Sequence, residues 1–202
     1  MKLYYSPGAC SLAPHIVLHE AGVPFEAVLA STKTHQLADG SDYYAVNPLG
    51  YVPFLVLADG RTLREGQVIS QYVADQVPAT GLAPALGSWE RYKLQEWLSF
   101  ISSELHKGFS PLFNPATPAD YKPMVKDRVL QRLTWVNGEL AGKDFLMGDT
   151  FTVADAYLFT VSNWAGFAGV DIGALEHLVA YRARVAARPA VQAAMRAEGL
   201  LR

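Results

Sequence analysis

The amino-acid sequence predicts an α/β unit followed by an all-α unit. Two observations lead to this fold class: strand and helix patterns alternate up to residue 79, and only helical patterns follow residue 87. The residues between them, 80–86, are mostly Gly, Pro and small or apolar side chains, a composition typical of a linker. We therefore expect units at 1–79 and 87–202.

Composition narrows the class of protein. The chain has 202 residues, of which 50% are hydrophobic and 18% charged, so it is long enough and apolar enough to bury a core. Its formal net charge of -2 argues against a nucleic-acid partner. Because no apolar run has the length of a signal peptide or a membrane span, we expect a cytoplasmic protein without a membrane partner.

The first unit begins with the strand "KLYY" and a helix from Ser11 that stops at Gly22-Val23-Pro24. "FEAVLA" at 25–30 predicts a second strand, and a polar loop follows. "VPFLVLADGRTLRE" then predicts a hairpin that turns at Asp59-Gly60. The next helix is amphipathic, with one side formed by Val68, Ile69, Tyr72, Val73 and Val77. This order implies a small sheet with a parallel half and a hairpin half.

The second unit consists of helical patterns. Large side chains recur at helical spacing from Trp89 to Leu105, "NPATP" interrupts at 114–118, and a further helix runs to Gly142. Thr152 and Asp155 have the spacing of a capping box at the start of the next helix. A last helical stretch covers 175–199.

Cys10 is the only cysteine, so the chain cannot form an internal disulfide. The residue is a packing residue, a partner in an intermolecular bond, or a reactive thiol. Its place before a helix N-terminus predicts a shift toward the thiolate. Ala13 stands where a dithiol enzyme needs its second cysteine, so a reactive Cys10 would form a mixed disulfide that an external thiol resolves.

Two further motifs have a structural and a functional interpretation each. Pro53 suits the first position of a strand, but a cis Val52-Pro53 bond would present the Val52 backbone to an extended peptide. Glu65 suits the first turn of a helix, but its carboxylate would also pair with the ammonium of a zwitterion. The carboxylate of that ligand would take the free N–H groups of Gly66 and Gln67.

The segment "SSELHK" at 102–107 places a histidine on the first helix after the linker. Ser103 and His106 lie three residues apart, so both would face one cleft, with Lys107 beside them. The alternative is a solvated helix face that carries a histidine.

Together these stretches resemble a bacterial beta-class glutathione S-transferase. The similarity rests on "YYSPGACSLAPHI", "NPLGYVPFLVLADGRTLREG", "QYVADQ", "ISSELHKGFSPLFNP" and "GDTFTVADAYLF", and it extends over essentially the whole chain. It implies a thioredoxin-like N-terminal domain that binds glutathione, an all-α C-terminal domain that forms the hydrophobic substrate pocket, and a homodimer.

The resemblance also assigns site residues. It implies that Glu65 and Gly66 hold the γ-glutamyl group, that Val52 pairs with the cysteinyl backbone, and that Cys10 lies at the sulfur. The catalytic set is Cys10, Ser11 and His106. The remaining glutathione contacts are Ser103, Glu104, Leu105, His106 and Lys107, partly across the dimer interface, while Trp164 belongs to the hydrophobic pocket. Two positions depart from the family pattern: His35 replaces the usual Lys and Ser99 the usual Asn, which weakens the case for glutathione contacts there.

The implied activity is conjugation of reduced glutathione to small hydrophobic electrophiles, as in detoxification of xenobiotics, together with thiol-disulfide exchange through Cys10. Glutathione serves as a co-substrate, and we expect no cofactor and no metal. A glutathione-dependent reductive dehalogenase or ether-cleaving relative is an alternative reading. A non-catalytic glutathione-fold binding module is another.

Overall fold

A four-stranded mixed sheet forms the first part of the computed structural model, which describes residues 1–201. Its strands are β1 (Lys2–Tyr5), β2 (Glu26–Leu29), β3 (Phe54–Val56) and β4 (Thr62–Leu63), in the spatial order β2-β1-β3-β4. β1 pairs in parallel with β2 and antiparallel with β3, and β3 pairs antiparallel with β4. The predicted parallel half and hairpin half are confirmed.

Two helices accompany this sheet, α1 (Leu12–Ala21) and α2 (Gly66–Gln76). α1 ends as predicted at Gly22, whose φ of 63° is a left-handed conformation that glycine adopts without a steric penalty. α2 buries Ile69 and Val73, whereas Val68, which the sequence pattern places on the same side of the helix, is 43% exposed. Short 3₁₀ helices lie at Tyr43–Ala45 and Pro78–Thr80.

The rest of the described chain is helical. Its helices are α3 (Trp89–Phe100), α4 (Lys107–Phe113), α5 (Lys122–Glu139), α6 (Val153–Ser162), α7 (Trp164–Ala168), α8 (Glu176–Ala186) and α9 (Pro189–Ala197). Between α3 and α4 the chain makes a π-helical turn, Ile101–His106, which the sequence pattern did not reveal. Within residues 1–201, none of the helices has the length and apolar character needed to cross a membrane.

The last helical stretch is broken in two. α8 ends at Ala186, and α9 begins at Pro189, which occupies the first position of its helix. A proline there loses no hydrogen bond, because the first N–H groups of a helix have no intrahelical partner. The break turns the chain so that the segment after α9 returns to the N-terminal unit, where Glu198 contacts Gly8 and His15.

Asp155 anchors the start of α6. Its buried carboxylate accepts hydrogen bonds from the backbone N–H groups of Thr152 at 2.8 Å and Leu146 at 2.9 Å, and from the Tyr181 hydroxyl at 3.1 Å. The predicted bond from the Thr152 N–H is thereby confirmed. Burial raises the pKa of Asp155 to about 6, although these hydrogen bonds oppose the shift.

One hydrophobic core runs through both parts of the chain. It includes Leu3 and Ile16 of the sheet unit together with Leu94 and Leu158 of the helical part. The pair Arg91 and Asp75 adds a polar link: the Arg91 guanidinium donates to both carboxylate oxygens of Asp75 at 2.8 Å, joining α2 to α3. The division into units at 1–79 and 87–202 stays a prediction.

Candidate active site

Two neighbouring cavities open where the sheet meets the helical part. The first has a volume of about 450 Å³ and the second about 870 Å³. Cys10 and His106 line both of them, as do Ala9 and Thr32. A group bound in the first cavity can therefore meet a molecule in the second at the wall that Cys10 and His106 form.

Cys10 lies in the turn between β1 and α1. Its thiol donates a hydrogen bond to the Val52 carbonyl oxygen at 3.2 Å. Burial, reinforced by the negative charge of Glu65, raises the pKa of Cys10 to about 11, although nearby backbone N–H groups and Lys107 act in the opposite direction. The predicted shift toward thiolate is wrong for the free protein, because desolvation outweighs the helix N-terminus.

The segment before β3 presents the Val52 backbone to the first cavity. The Val52-Pro53 peptide bond is cis, as in the functional interpretation of this motif. The preceding carbonyl oxygen, that of Tyr51, accepts hydrogen bonds from the Tyr43 hydroxyl at 2.9 Å and from the Asn47 amide at 2.8 Å. These buried partners fix the path of the chain at the cavity.

Glu65 and Gly66 line the first cavity at the start of α2. Glu65 has a φ of 63°, an uncommon conformation for a residue with a side chain. Since Gly66 and Gln67 open the helix, their N–H groups have no intrahelical acceptor. A carboxylate and free N–H donors thus stand side by side, as the functional interpretation of this motif requires.

His106 reaches the cavities from the end of the π-helical turn. Its Nδ1 lies 2.7 Å from the Tyr157 hydroxyl, and burial, with a smaller effect of Lys107, lowers its pKa to about 4. The wider π-helical turn places Ser102, not Ser103, on the cavity side with His106 and Lys107. The predicted pairing of Ser103 with His106 in one cleft was therefore wrong, since it assumed a regular α-helix.

Two other predicted site residues lie off the cavities. Ser11 is fully buried, and its hydroxyl is engaged with the backbone of Ser6, accepting from the N–H at 3.1 Å and donating to the carbonyl at 3.2 Å. It shapes the turn that carries Cys10. His35 stacks on the Tyr44 ring, with centroids 4.5 Å apart, so the basic side chain that this loop brings to a cavity is Lys33.

The remaining predicted contacts also point away within one chain. Ser99 and Ser103 are exposed and joined by a hydrogen bond from the Ser103 hydroxyl to the Ser99 carbonyl. Glu104 pairs with Arg132 at 2.7 Å, which holds its pKa below the usual value, and Leu105 is in the core. These residues would contact only a glutathione molecule that is bound to another subunit.

Several cavity residues were missed by the sequence analysis. The first cavity is also lined by Thr32, Asn47, Leu49, Tyr51, Arg64, Ser102 and Tyr157. Arg64 could have been predicted from the sequence because it directly precedes Glu65. In the structure its guanidinium donates to the Asn47 side chain at 3.1 Å and lies over the Phe54 ring. Tyr157 had no local signal, since it belongs to an apolar stretch that reads as core.

The second cavity is mainly aromatic and apolar. Trp164 lines it, and the indole N–H donates to the Gly8 carbonyl at 2.9 Å. Phe113 and Phe167 contribute further rings, while Met195 and Leu200 close the side formed by α9 and the segment after it.

Charge also distinguishes the two cavities. Arg64, Glu65 and Lys107 bring both signs to the first cavity, whereas Lys33 is the one Asp, Glu, Lys or Arg among the residues lining the second. No group of three His, Cys, Asp or Glu side chains that could hold a metal ion occurs within residues 1–201. The first cavity suits a zwitterionic ligand and the second an apolar one.

Comparison with known proteins identifies the family. The glutathione S-transferase N-terminal domain matches residues 8–76, and the C-terminal domain matches residues 100–189. Glutathione S-transferase GstA of Escherichia coli O157:H7 is 50% identical over 99% of this chain and 100% of its own length. The chain belongs to the glutathione S-transferase family. The predicted fold and class of enzyme are thus confirmed.

Solved structures of this family superpose closely on the chain. A sphingomonad glutathione S-transferase complexed with glutathione is 49% identical, with a TM-score of 0.95 and full coverage of both chains. A beta-class glutathione S-transferase of Sphingomonas chungbukensis is 46% identical, with a TM-score of 0.96 and full coverage of both chains. The resemblance to the bacterial beta class therefore holds over the whole chain.

Proposed function

We propose that this glutathione transferase binds reduced glutathione in the first cavity and conjugates it to a hydrophobic electrophile in the second. The observation that carries the proposal is the wall shared by the two cavities, which consists of Cys10 and His106 with Ala9 and Thr32. A sulfur held at this wall lies within reach of an electrophile in the second cavity.

The charges of the first cavity support one orientation of glutathione. Its γ-glutamyl ammonium meets the Glu65 carboxylate, and the adjacent carboxylate accepts from the N–H groups of Gly66 and Gln67. The Val52 backbone then pairs with the cysteinyl residue in an extended, strand-like arrangement. This brings the glutathione sulfur to Cys10.

The chemical step is a nucleophilic displacement. The glutathione thiol loses its proton to water, and the thiolate attacks the electrophilic carbon. A carbon–sulfur bond forms while the leaving group, for example chloride from an aryl halide, departs with its bonding electrons. Cys10 does not repel this thiolate, because a pKa of about 11 keeps the Cys10 thiol neutral near pH 7.

We also propose thiol-disulfide exchange, because Cys10 is the one sulfur at the shared wall. The Cys10 thiolate attacks one sulfur of oxidised glutathione, a Cys10–glutathione disulfide forms, and one glutathione thiolate leaves. The thiolate of a reduced glutathione then attacks the glutathione sulfur of this disulfide, so that oxidised glutathione forms again and the Cys10 thiolate leaves; the exchange is therefore reversible. Binding of the γ-glutamyl ammonium offsets the Glu65 charge, which removes one of the causes that raise the Cys10 pKa. This cycle needs a supply of reduced glutathione, which supports a cytoplasmic location.

We further propose that the protein is a homodimer and acts in the detoxification of xenobiotics. α3 exposes Trp89 by 72% and Tyr92 by 59%, and Ser99 lies farther along the same exposed side. A partner on this surface would bury the aromatic side chains and bring Ser99 and Ser103 near a second glutathione site. Sedimentation velocity at several concentrations tests this arrangement; a monomer at all of them contradicts it.

The function is tested with purified protein in two steps. Retention on immobilised glutathione reports binding, and conjugation of a generic aryl chloride reports turnover. We expect both. Binding without turnover of any electrophile would favour the non-catalytic module. Release of halide with a reduced product, or cleavage of an aryl ether, in place of conjugation would favour the dehalogenase or ether-cleaving reading.

A further inference from the structure

Tyr157 is a buried tyrosine that lies between the first cavity and His106. Its side chain is 4% exposed, lines the first cavity, and lies 2.7 Å from Nδ1 of His106 through its hydroxyl. It projects from α6, whereas His106 ends the π-helical turn, so the contact joins two separate helices. We propose that Tyr157 is a positioning residue that fixes the tautomer of His106 and so makes Nε2–H a donor to the glutathione thiolate.

The direction of the hydrogen bond follows from the protonation of both partners. Burial raises the pKa of Tyr157 well above its usual value, so the phenol keeps its proton. His106, with a pKa of about 4, is neutral and carries one ring proton. Nδ1 of His106, at 2.7 Å, is the hydrogen-bond partner of this phenol. The Tyr157 proton is then directed at Nδ1.

Because Tyr157 donates its proton to Nδ1, Nδ1 must be the unprotonated nitrogen of the His106 ring. The single ring proton of neutral His106 consequently resides on Nε2. Because Nδ1 is occupied by Tyr157 and the ring lines both cavities, Nε2 is the nitrogen available to a ligand. An N–H group at this place stabilises a thiolate, whereas a bare nitrogen would repel it.

The His106 ring is held in place on a second side. The Trp164 ring meets it nearly edge to face, at 70° with centroids 5.0 Å apart. The Trp164 indole is itself tied to the Gly8 carbonyl, two residues from Cys10. Tyr157 and Trp164 thus leave His106 little freedom to rotate and exchange its two nitrogens. Tyr157 supplies the chemical selection and Trp164 the steric restraint.

The inference rests on the proposed function, but one of its tests does not. In the free protein, nitrogen NMR shifts of the imidazole distinguish Nε2–H from Nδ1–H directly. We expect the Nε2–H tautomer in the wild type and a mixture of tautomers in Tyr157→Phe. Predominant Nδ1–H in the wild type, or no change in Tyr157→Phe, would overturn the proposal whether or not the protein uses glutathione.

The second test follows the ionisation of bound glutathione. Thiolate absorbance is titrated in the wild type and in Tyr157→Phe, and conjugation rates are measured over the same pH range. We expect the apparent pKa of bound glutathione to rise by about one unit, a tenfold loss of thiolate at low pH. At high pH, where the thiol is fully ionised, the rate of Tyr157→Phe should approach that of the wild type. An equal loss at every pH would indicate a structural defect and overturn the proposal.

Two further variants distinguish an effect of Tyr157 through His106 from a direct effect on the sulfur and from a general loss of stability. In a His106→Ala background, Tyr157→Phe should have almost no additional effect on the thiol pKa; a full effect there would mean that Tyr157 acts on the sulfur directly. Tyr181→Phe removes another buried hydroxyl next to α6, one that donates to Asp155 and not to His106. We expect it to lower stability and leave the pH profile unchanged, and a pKa shift as large as that of Tyr157→Phe would contradict the proposal. Absence of a bound thiolate in the wild type would instead refute the proposed function.

Discussion

The Cys10 thiol donates to the Val52 carbonyl oxygen at 3.2 Å, so the one cysteine of the chain is bonded to the backbone segment that we propose pairs with glutathione. This relationship makes the free thiol a half-buried donor. Glutathione that approaches the Val52 backbone would compete with Cys10 for the same carbonyl oxygen. The reactivity of Cys10 is therefore tied to the occupancy of the first cavity.

The first prediction concerns the pH dependence of Cys10. Because burial and Glu65 raise its pKa to about 11, alkylation by iodoacetamide in the free protein should accelerate about tenfold per pH unit from about pH 7 to about pH 10. Intact-mass kinetics measure this rate, and Cys10→Ala supplies the blank. A plateau below about pH 8 would show that the thiol is already ionised there.

A related prediction concerns the mixed disulfide. Exposure to oxidised glutathione should add one glutathione to the wild type and none to Cys10→Ala, as seen by intact mass. The yield should rise with pH in parallel with alkylation, since both need the thiolate. An unmodified wild-type protein after prolonged incubation at about pH 9 would exclude the exchange reaction.

Glu65→Gln should affect glutathione and Cys10 in opposite directions. Loss of the charge that meets the γ-glutamyl ammonium should weaken glutathione binding about tenfold or more. The same change removes a negative charge that raises the Cys10 pKa, so alkylation in the free protein should become faster. Calorimetry and the alkylation assay measure the two effects. Glu90→Gln, an exposed first-turn acid of α3, is the matched control and should change neither.

Trp164 should matter for the second substrate more than for glutathione. Trp164→Phe keeps a ring but loses the N–H that donates to Gly8, so we expect about a fivefold fall in kcat/KM for an aryl electrophile. Trp164→Ala removes the ring as well and should cost more. The KM for glutathione should change by less than about twofold in Trp164→Phe. If the KM for glutathione changed by a larger factor than kcat/KM for the electrophile, Trp164 would belong to the glutathione site instead.

Asp155 should be important for stability. Asp155→Ala removes the acceptor of two buried N–H groups and the Tyr181 hydroxyl, which should lower the free energy of unfolding by about 3 kcal/mol or more. Asp149→Ala, an exposed aspartate before α6, should stay within about 0.5 kcal/mol of the wild type. Urea unfolding measures both, and equal losses would argue against the special role of Asp155.

Because the pKa of Asp155 is shifted, the difference in unfolding free energy between the wild type and Asp155→Ala should depend on pH. Its folded value of about 6 lies above the ordinary value of 3.8, so the folded protein binds this proton more tightly than the unfolded chain does. The associated stability is fully present below about pH 4 and is lost as the pH rises through 6. We expect the advantage of the wild type over Asp155→Ala to shrink across this window, and an advantage that grows would show that the pKa is lowered instead.

Local sequence signals predicted those parts of the site that depend on backbone chemistry. Pro53, Glu65-Gly66 and the turn at Cys10 each combine a residue type with a change of element, and the structure brings all three to one cavity. The same holds for the fold, since Gly22 and Asp59-Gly60 mark the ends of their elements. These features depend on a few neighbouring residues and are therefore visible in a single sequence.

The features that sequence reasoning missed arise from tertiary packing. The thiolate prediction for Cys10 considered the helix N-terminus but not the desolvation that the folded chain imposes. Ser103 was preferred to Ser102 because the π-helical turn has no recognisable local signal. Tyr157 lies 51 residues from His106, and only the packing of α6 against the π-helical turn reveals their contact.

The core shared by the two parts of the chain limits how either part can be exchanged. Ile16 of α1 and Leu158 of α6 belong to the same cluster, so the sheet unit contributes one wall of a shared interior. Exchanging the helical half for that of a distant relative would leave mismatched apolar surfaces and an unpaired Arg91 or Asp75. Side chains around the second cavity, where we propose that the electrophile binds, can by contrast be changed without disturbing this shared interior.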